Sequence, residues 1–198
     1  MIKDHDRSGF FGGSDCKYVL ASNRNTKSWK NWWDEKLGLT EHEQFETMYT
    51  RAGNLYEHSI LKAVDPEVIT DGQIIYDKYL LRVNYDGWND GIIYECKTHN
   101  AKKDFKMTND YYGQCQVEMF VYQKMHDKWF LPPMKKLVLV SYPLFDDEYD
   151  VEEDEIEIVE SRIRTEEVKY NKDWVQTEYI PKVKELSRAL KKGKFPTV

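Results

Sequence analysis

Tyr85-Asp86-Gly87-Trp88-Asn89-Asp90-Gly91-Ile92-Ile93-Tyr94-Glu95-Cys96-Lys97-Thr98 reads as two strands joined by a tight turn. Asp-Gly between apolar runs is a strong signal for a two-residue hairpin loop. With Asp90 and Gly91 as the loop, Asn89 pairs with Ile92, and paired residue numbers sum to 181. That register sets Asp86 opposite Glu95 and Asn84 opposite Lys97. Glu95 and Lys97, two apart, share a face. Two carboxylates directly across a strand pair repel each other. Such a pair calls for positive charge between them, either a divalent cation with hard-oxygen ligands or the neighbouring Lys97. The apolar run Ile92-Ile93-Tyr94 leads straight into Glu95, so the carboxylate emerges from a rigid strand suited to holding a site.

Working outward, Gln73–Tyr76, Tyr79–Asp86 and Ile92–Thr98 read as strands, bounded by Asp71-Gly72, Asp77-Lys78 and Asn89-Asp90-Gly91. Upstream, Gly9 to Gly13 is a glycine-containing loop, and Ser14 is a candidate N-cap for a short helix to about Ala21. Trp29, Trp32, Trp33, Lys36 and Leu37 recur at helical spacing, which makes the tryptophans core candidates rather than a base-stacking platform. A third helix, Met48 to Ala63, offers Leu55, Ile60 and Val64 to the core and ends before Pro66. Downstream, Tyr111–Lys124 is a helix with Tyr112, Cys115, Met119 and Phe120 turned inward. Lys136–Tyr142 is an apolar, β-branched strand. Ile156–Tyr170 holds one or two further strands. Trp174–Lys192 closes the chain as a helix burying Val175, Tyr179, Val183, Leu186 and Leu190. This order predicts an α/β (α+β) fold, a mixed central β-sheet flanked by helices, with residues 1–198 as one domain.

Composition bounds the function. Apolar residues make up 40% of the chain, enough for a core, and the formal charge is −6. A negative total argues against a nucleic-acid partner. Ten acidic residues and no Lys or Arg lie between Asp146 and Glu160, however, so the rest of the chain is net positive. That segment reads as a solvated loop with an edge strand in which Ile156 and Ile158 alternate with Glu155 and Glu157. The three cysteines, Cys16, Cys96 and Cys115, fall short of a four-thiolate cluster and have no zinc spacing. They suit reduced thiols in a cytoplasmic protein. The N-terminus is polar, with no apolar signal core, and no run of about 18 apolar residues predicts a membrane span.

Three further groups surround the hairpin. Gly53-x3-Glu57 places Glu57 on the third helix as a candidate third carboxylate. Gln114, in the first turn of the Tyr111–Lys124 helix, can hydrogen-bond a phosphate or a water. Arg7-x4-Gly12-Gly13-Ser14 joins a guanidinium to a glycine pair ahead of a helix, where free backbone N–H groups meet anions. Taken in order, RSGFFGGSD (7–15), RAGNLYE (51–57), YDG (85–87), YECKT (94–98) and YYGQCQVEMFV (111–121) resemble the phage lambda exonuclease / YqaJ-type family of PD-(D/E)XK nucleases.

The resemblance implies a restriction-endonuclease-like core and Mg²⁺-dependent (or Mn²⁺-dependent) 5′→3′ digestion of duplex DNA, with one or two ions. Asp86, Glu95 and the backbone carbonyl of Cys96 would be metal ligands, with Glu57 in support. Lys97 would be the active-site lysine and Gln114 the helix glutamine. Arg7 and Ser14 would hold a terminal 5′-phosphate, with Asn84 where the family can place a small hydroxyl residue. Tyr85 stands in place of the motif proline. The family context further implies DNA ends as partners, a ring-shaped homotrimer, a single-strand annealing protein and a phage or prophage origin. Arg24, Lys27, Lys102, Lys103, Lys106, Lys191, Lys192 and Lys194 are candidate backbone contacts. An endonuclease of repair or restriction type and a non-catalytic DNA-binding module remain the alternatives.

Overall fold

The computed structural model describes residues 8–40, 47–152 and 155–196. Its centre is a five-stranded sheet in the order β1 (Ile69–Tyr76), β2 (Leu81–Asn89), β3 (Ile92–Asn100), β4 (Lys136–Leu144), β5 (Arg164–Val168). Only β3 and β4 run parallel, joined through helix α4 (Asn109–Met125); the other neighbours are antiparallel. The mixed sheet flanked by helices follows the expected pattern.

Each sheet face buries one apolar cluster. On one face, α3 (Met48–Val64) sets Ala52, Tyr56, Ile60 and Leu61 against Tyr94, Cys96, Val138 and Val140. Leu55 and Val64, expected in the core, lie at its margin. The other face carries Ile93, Leu137 and Leu139 and is covered by α1 (Cys16–Leu20), α2 (Lys27–Lys36), α4 and α6 (Ile180–Lys191). Trp29, Trp32 and Trp33 are buried there, so the aromatic stripe is core. α4 buries residues around most of its circumference, as befits a helix packed between the sheet and other helices.

The closing helix keeps all five expected core positions buried. It is broken into α5 (Lys172–Trp174), a π turn (Val175–Tyr179) and α6. Pro181 accounts for the break, because it supplies no N–H to the turn before it. The stretch 156–159 forms no strand. Ile156 and Ile158 pack as coil on the α3-face cluster, and only Arg164–Val168 joins the sheet. The acidic segment is also less solvated than expected. Tyr149 is buried against Tyr49, and Glu148 holds the Arg162 guanidinium through both carboxylate oxygens, at 2.6 and 2.9 Å.

The decisive hairpin forms with the predicted register, Asn89↔Ile92, Trp88↔Ile93 and Gly87↔Tyr94, across Asp90 (φ 44°) and Gly91 (φ 80°). There the ladder stops. Tyr85 and Trp88 both pack on Tyr122 of α4, although three residues apart on a regular strand they would face opposite sides. Asp86 and Gly87 take up the irregularity, next to Asp71 on β1, whose φ is 58°. The expected pairing of Asp86 with Glu95 and of Asn84 with Lys97 is therefore corrected. Asn84 is exposed, pairs with Gln73 of β1 and accepts a 2.9 Å hydrogen bond from its side chain.

Past Gly87, β2 diverges from β3. Phe11 bridges to Leu81 in the gap: its N–H donates to Leu80 O (2.7 Å), and its carbonyl accepts from Arg82 N (2.9 Å). Since β1 occupies one edge of β2 at these residues, Phe11 uses the edge that faces β3.

Candidate active site

The opening between β2 and β3 gathers the chemistry. Glu95 and Lys97 point to the α4 face, and the Lys97 ammonium ion-pairs with Glu95 Oε1. Gln114 of α4 donates its Nε2–H to the same oxygen at 2.6 Å. Asp86 Oδ2 accepts the Cys96 backbone N–H at 2.8 Å, so the side chain still bridges β2 to β3 where the ladder is lost. Glu57 comes in from α3, which sits close to β3 because position 53 is glycine: a Cβ there would lie 3.1 Å from Thr98 Oγ1. The predicted Asp86, Glu95, Lys97, Glu57 and Gln114 are thus brought together.

Ser14 is a correction. It lies exposed within a 3₁₀ turn (Gly13–Asp15) ahead of α1 and caps nothing. The acceptor is Asp15, buried at 5% exposure, which takes hydrogen bonds from Gly12 N (2.7 Å) and Trp32 Nε1 (2.8 Å) and pairs with the buried Lys36 Nζ (2.7 Å). This knot holds the glycine pair at the site, and a Cβ on Gly13 would lie 3.1 Å from Glu118 Oε1. Arg7 lies outside the described residues. Among the expected backbone contacts, Arg24 is paired with Glu185 and Lys102 with Asp146, while Lys27, Lys103, Lys106, Lys191, Lys192 and Lys194 are exposed.

Glu118 is the site residue that the sequence reading missed. It is fully buried, and neither of its carboxylate oxygens has a hydrogen-bond partner among the described residues; Glu95 Oε2 is likewise unpartnered. The available signal was the spacing Gln114-x3-Glu118, which puts both side chains on one helix face.

Four carboxylates thus surround one lysine. Burial, then the charges of Glu95 and Glu57, hold Asp86 well above the usual carboxylate range. Burial, then Glu95 and Asp86, do the same to Glu118. Glu57 is pushed up to about 7, first by burial and then by Glu95. Burial alone would lower Lys97, but Glu95 and Asp86 outweigh it and keep the ammonium charged. Crowded oxygen donors with unpartnered buried atoms are the chemistry of a hard divalent cation. In this arrangement Lys97 and Gln114 engage Glu95, the Cys96 N–H engages Asp86, and no three His, Cys, Asp or Glu side chains among the described residues converge to hold an ion.

The Glu57 shift has a measurable consequence in metal-free protein. Its pKa in the fold lies above its ordinary 4.5, so the favoured form is protonated. The stabilisation is complete below about pH 4.5 and is lost as pH rises through about 7. Urea unfolding in chelator should show stability declining across that window. Glu57→Gln should remove about 2 kcal/mol of the decline, allowing for the half-buried position. Asp86 and Glu118 act in the same direction, and part of the Asp86 shift disappears with the Glu57 charge.

No protein-family model matches the chain, and no curated protein matches it. Solved structures do. An alkaline exonuclease (LHK-Exo) from Laribacter hongkongensis is 18% identical with a TM-score of 0.66, over 94% of this chain and 90% of that one. LHK-Exo in complex with dAMP gives a TM-score of 0.67 over the same shares, also at 18% identity. A phage related exonuclease from Haemophilus somnus 129PT is 14% identical with a TM-score of 0.55, over 93% and 92% of the two chains. The likeness shows the fold: an α/β architecture of a mixed sheet flanked by helices, shared with these exonucleases.

Proposed function

We propose that the chain is a Mg²⁺-dependent deoxyribonuclease that digests linear duplex DNA from its ends in the 5′→3′ direction, releasing 5′-mononucleotides. The observation that carries this reading is the pair formed by buried Glu95 and half-buried Lys97. It is joined by Gln114 and surrounded by Asp86, Glu57 and Glu118, on a fold that solved exonucleases share. That one such structure holds dAMP agrees with a mononucleotide product.

Asp86, Glu95, the Cys96 carbonyl and Glu57 would hold one or two ions. A bound divalent cation lowers the pKa of water and offsets charge on phosphate. The remaining steps fall to the chain. Lys97 orients or helps deprotonate the attacking water, and its cationic form stabilises negative charge as it develops on the phosphate. Gln114, released from Glu95, has a free amide for a phosphate oxygen or the water. The Gly12-Gly13 loop brings backbone beside Glu118 and offers a close approach for the strand end. Attack on phosphorus breaks the P–O3′ bond and frees the terminal nucleotide.

The test is digestion of linear duplex with one 5′-phosphorylated and one 5′-hydroxyl end, beside a nick-free circle. Mononucleotides released from 5′ ends, with the circle intact, are expected in Mg²⁺ and absent in chelator. Cutting of the circle, or binding without turnover in both Mg²⁺ and Mn²⁺, overturns the proposal.

A further inference from the structure

We infer that a cavity of about 570 Å³ beside the site receives an unpaired nucleotide of the strand being cut, its base against Phe105. This rests on the nuclease reading and extends it to a subsite. The floor of the cavity is Leu139, Ser141 and Pro143 of β4. These three residues pair in register with Glu95, Lys97 and His99 of β3, on the same sheet face. Adjacent strands lie about 4.8 Å apart, so the cavity opens directly beside the reacting groups.

An aromatic stack connects the two. The Lys97 ammonium lies 5.5 Å from the centre of the Tyr111 ring. Phe105 stacks on Tyr111 at 6.0 Å with planes 7° apart, and its ring lies 5.5 Å from His99. His99 Nδ1 is buried without a hydrogen-bond partner among the described residues, which a folded chain tolerates poorly unless a ligand completes it. At the mouth, the exposed Arg164 guanidinium bonds backbone carbonyls and pairs with no carboxylate among the described residues. Asp104 and Glu166 on the same rim offset Arg164 and Lys103, and Arg162, which also lines it, is paired with Glu148. Affinity therefore rests on stacking and hydrogen bonding more than on net charge. A half-open cleft of this size excludes a duplex and admits a single nucleotide, and every base offers a face for stacking.

The experiment uses a linear duplex whose terminal 5′ nucleotides are replaced, one position at a time, by 2-aminopurine, which brightens on leaving the duplex stack and is quenched again on stacking against an aromatic side chain. Wild-type protein should quench it at one position near the cut, and Phe105→Ala should abolish that quenching. Phe105→Ala and His99→Ala should each raise KM for DNA about tenfold. Both should discriminate about tenfold more against DNA than against bis(p-nitrophenyl) phosphate, a diester without a base. Quenching and KM unchanged in both variants would overturn the subsite. Equal losses on both diesters would also overturn it, since the residues would then act only by supporting Lys97 through Tyr111. Wild-type protein that cleaves neither diester would overturn the nuclease reading itself.

Discussion

Lys97→Ala should lower kcat/KM on linear duplex DNA about a thousandfold in Mg²⁺, the scale seen when one charge-stabilising donor is removed from an active site. Among the described residues, the ammonium is the only cation placed among Glu57, Asp86, Glu95 and Glu118. Without it, no cation among the described residues offsets charge on phosphate beside Glu95 and Gln114. The fold should survive, because Glu57, Asp86 and Glu118, whose pKa values are already raised, can take up protons when the lysine is lost. Equal thermal unfolding profiles for variant and wild type at pH 6, with activity lost, would separate chemistry from stability. Activity within a few-fold of wild type would remove Lys97 from the mechanism. Glu95→Gln should lose activity to a similar degree, since Lys97 and Gln114 both use its Oε1.

Asp15→Ala should lower stability by about 3–5 kcal/mol, the usual consequence of breaking a buried ion pair by removing one partner. Lys36 is 2% exposed and its ammonium lies 2.7 Å from Asp15 Oδ2. The same substitution leaves the Trp32 Nε1–H and the Gly12 N–H without their acceptor. Against a typical total of 5–15 kcal/mol, the loss is large enough to populate unfolded protein. Denaturant unfolding gives the value directly, and a decrease under 1 kcal/mol would contradict the assignment. Pairing Asp15→Leu with Lys36→Met should recover part of the loss, because removing both charges is milder than orphaning one.

Much of the fold was legible because its punctuation is local. Asp90-Gly91 specifies its hairpin through two positive φ angles, and the register counted from it holds for every pair that forms. The divergence beyond Gly87 was not legible. It depends on Phe11, some seventy residues away, pairing with the free edge of β2, and no local periodicity reports such a contact. The same holds for Ser14. A hydroxyl before a helix reads as a cap, yet the acceptor is its neighbour Asp15, fixed by Lys36 and Trp32 from another helix. Glu118 escaped because it interrupts the run Cys115–Tyr122, where an isolated acid reads as the solvent side of the helix. α4 is buried on nearly every side, so that inference fails. Ile156 and Ile158 misled in the opposite way, since alternation marks burial every second residue and coil can supply it as well as a strand.

The two rims of the sheet bear on how the molecule keeps company. On the outer strand β5, Arg164, Thr165, Glu166 and Glu167 are exposed, three of the four being charged. The opposite outer strand, β1, is kinked at Asp71 by a backbone turned into the left-handed region. A charged border and a bent border both discourage a foreign strand from zipping on. Concentrated protein should therefore resist cross-β aggregation despite its 40% apolar composition. Lengthwise pairing of copies through these two rims is thereby disfavoured, and the hydrogen-bonding ribbon is guarded at both ends.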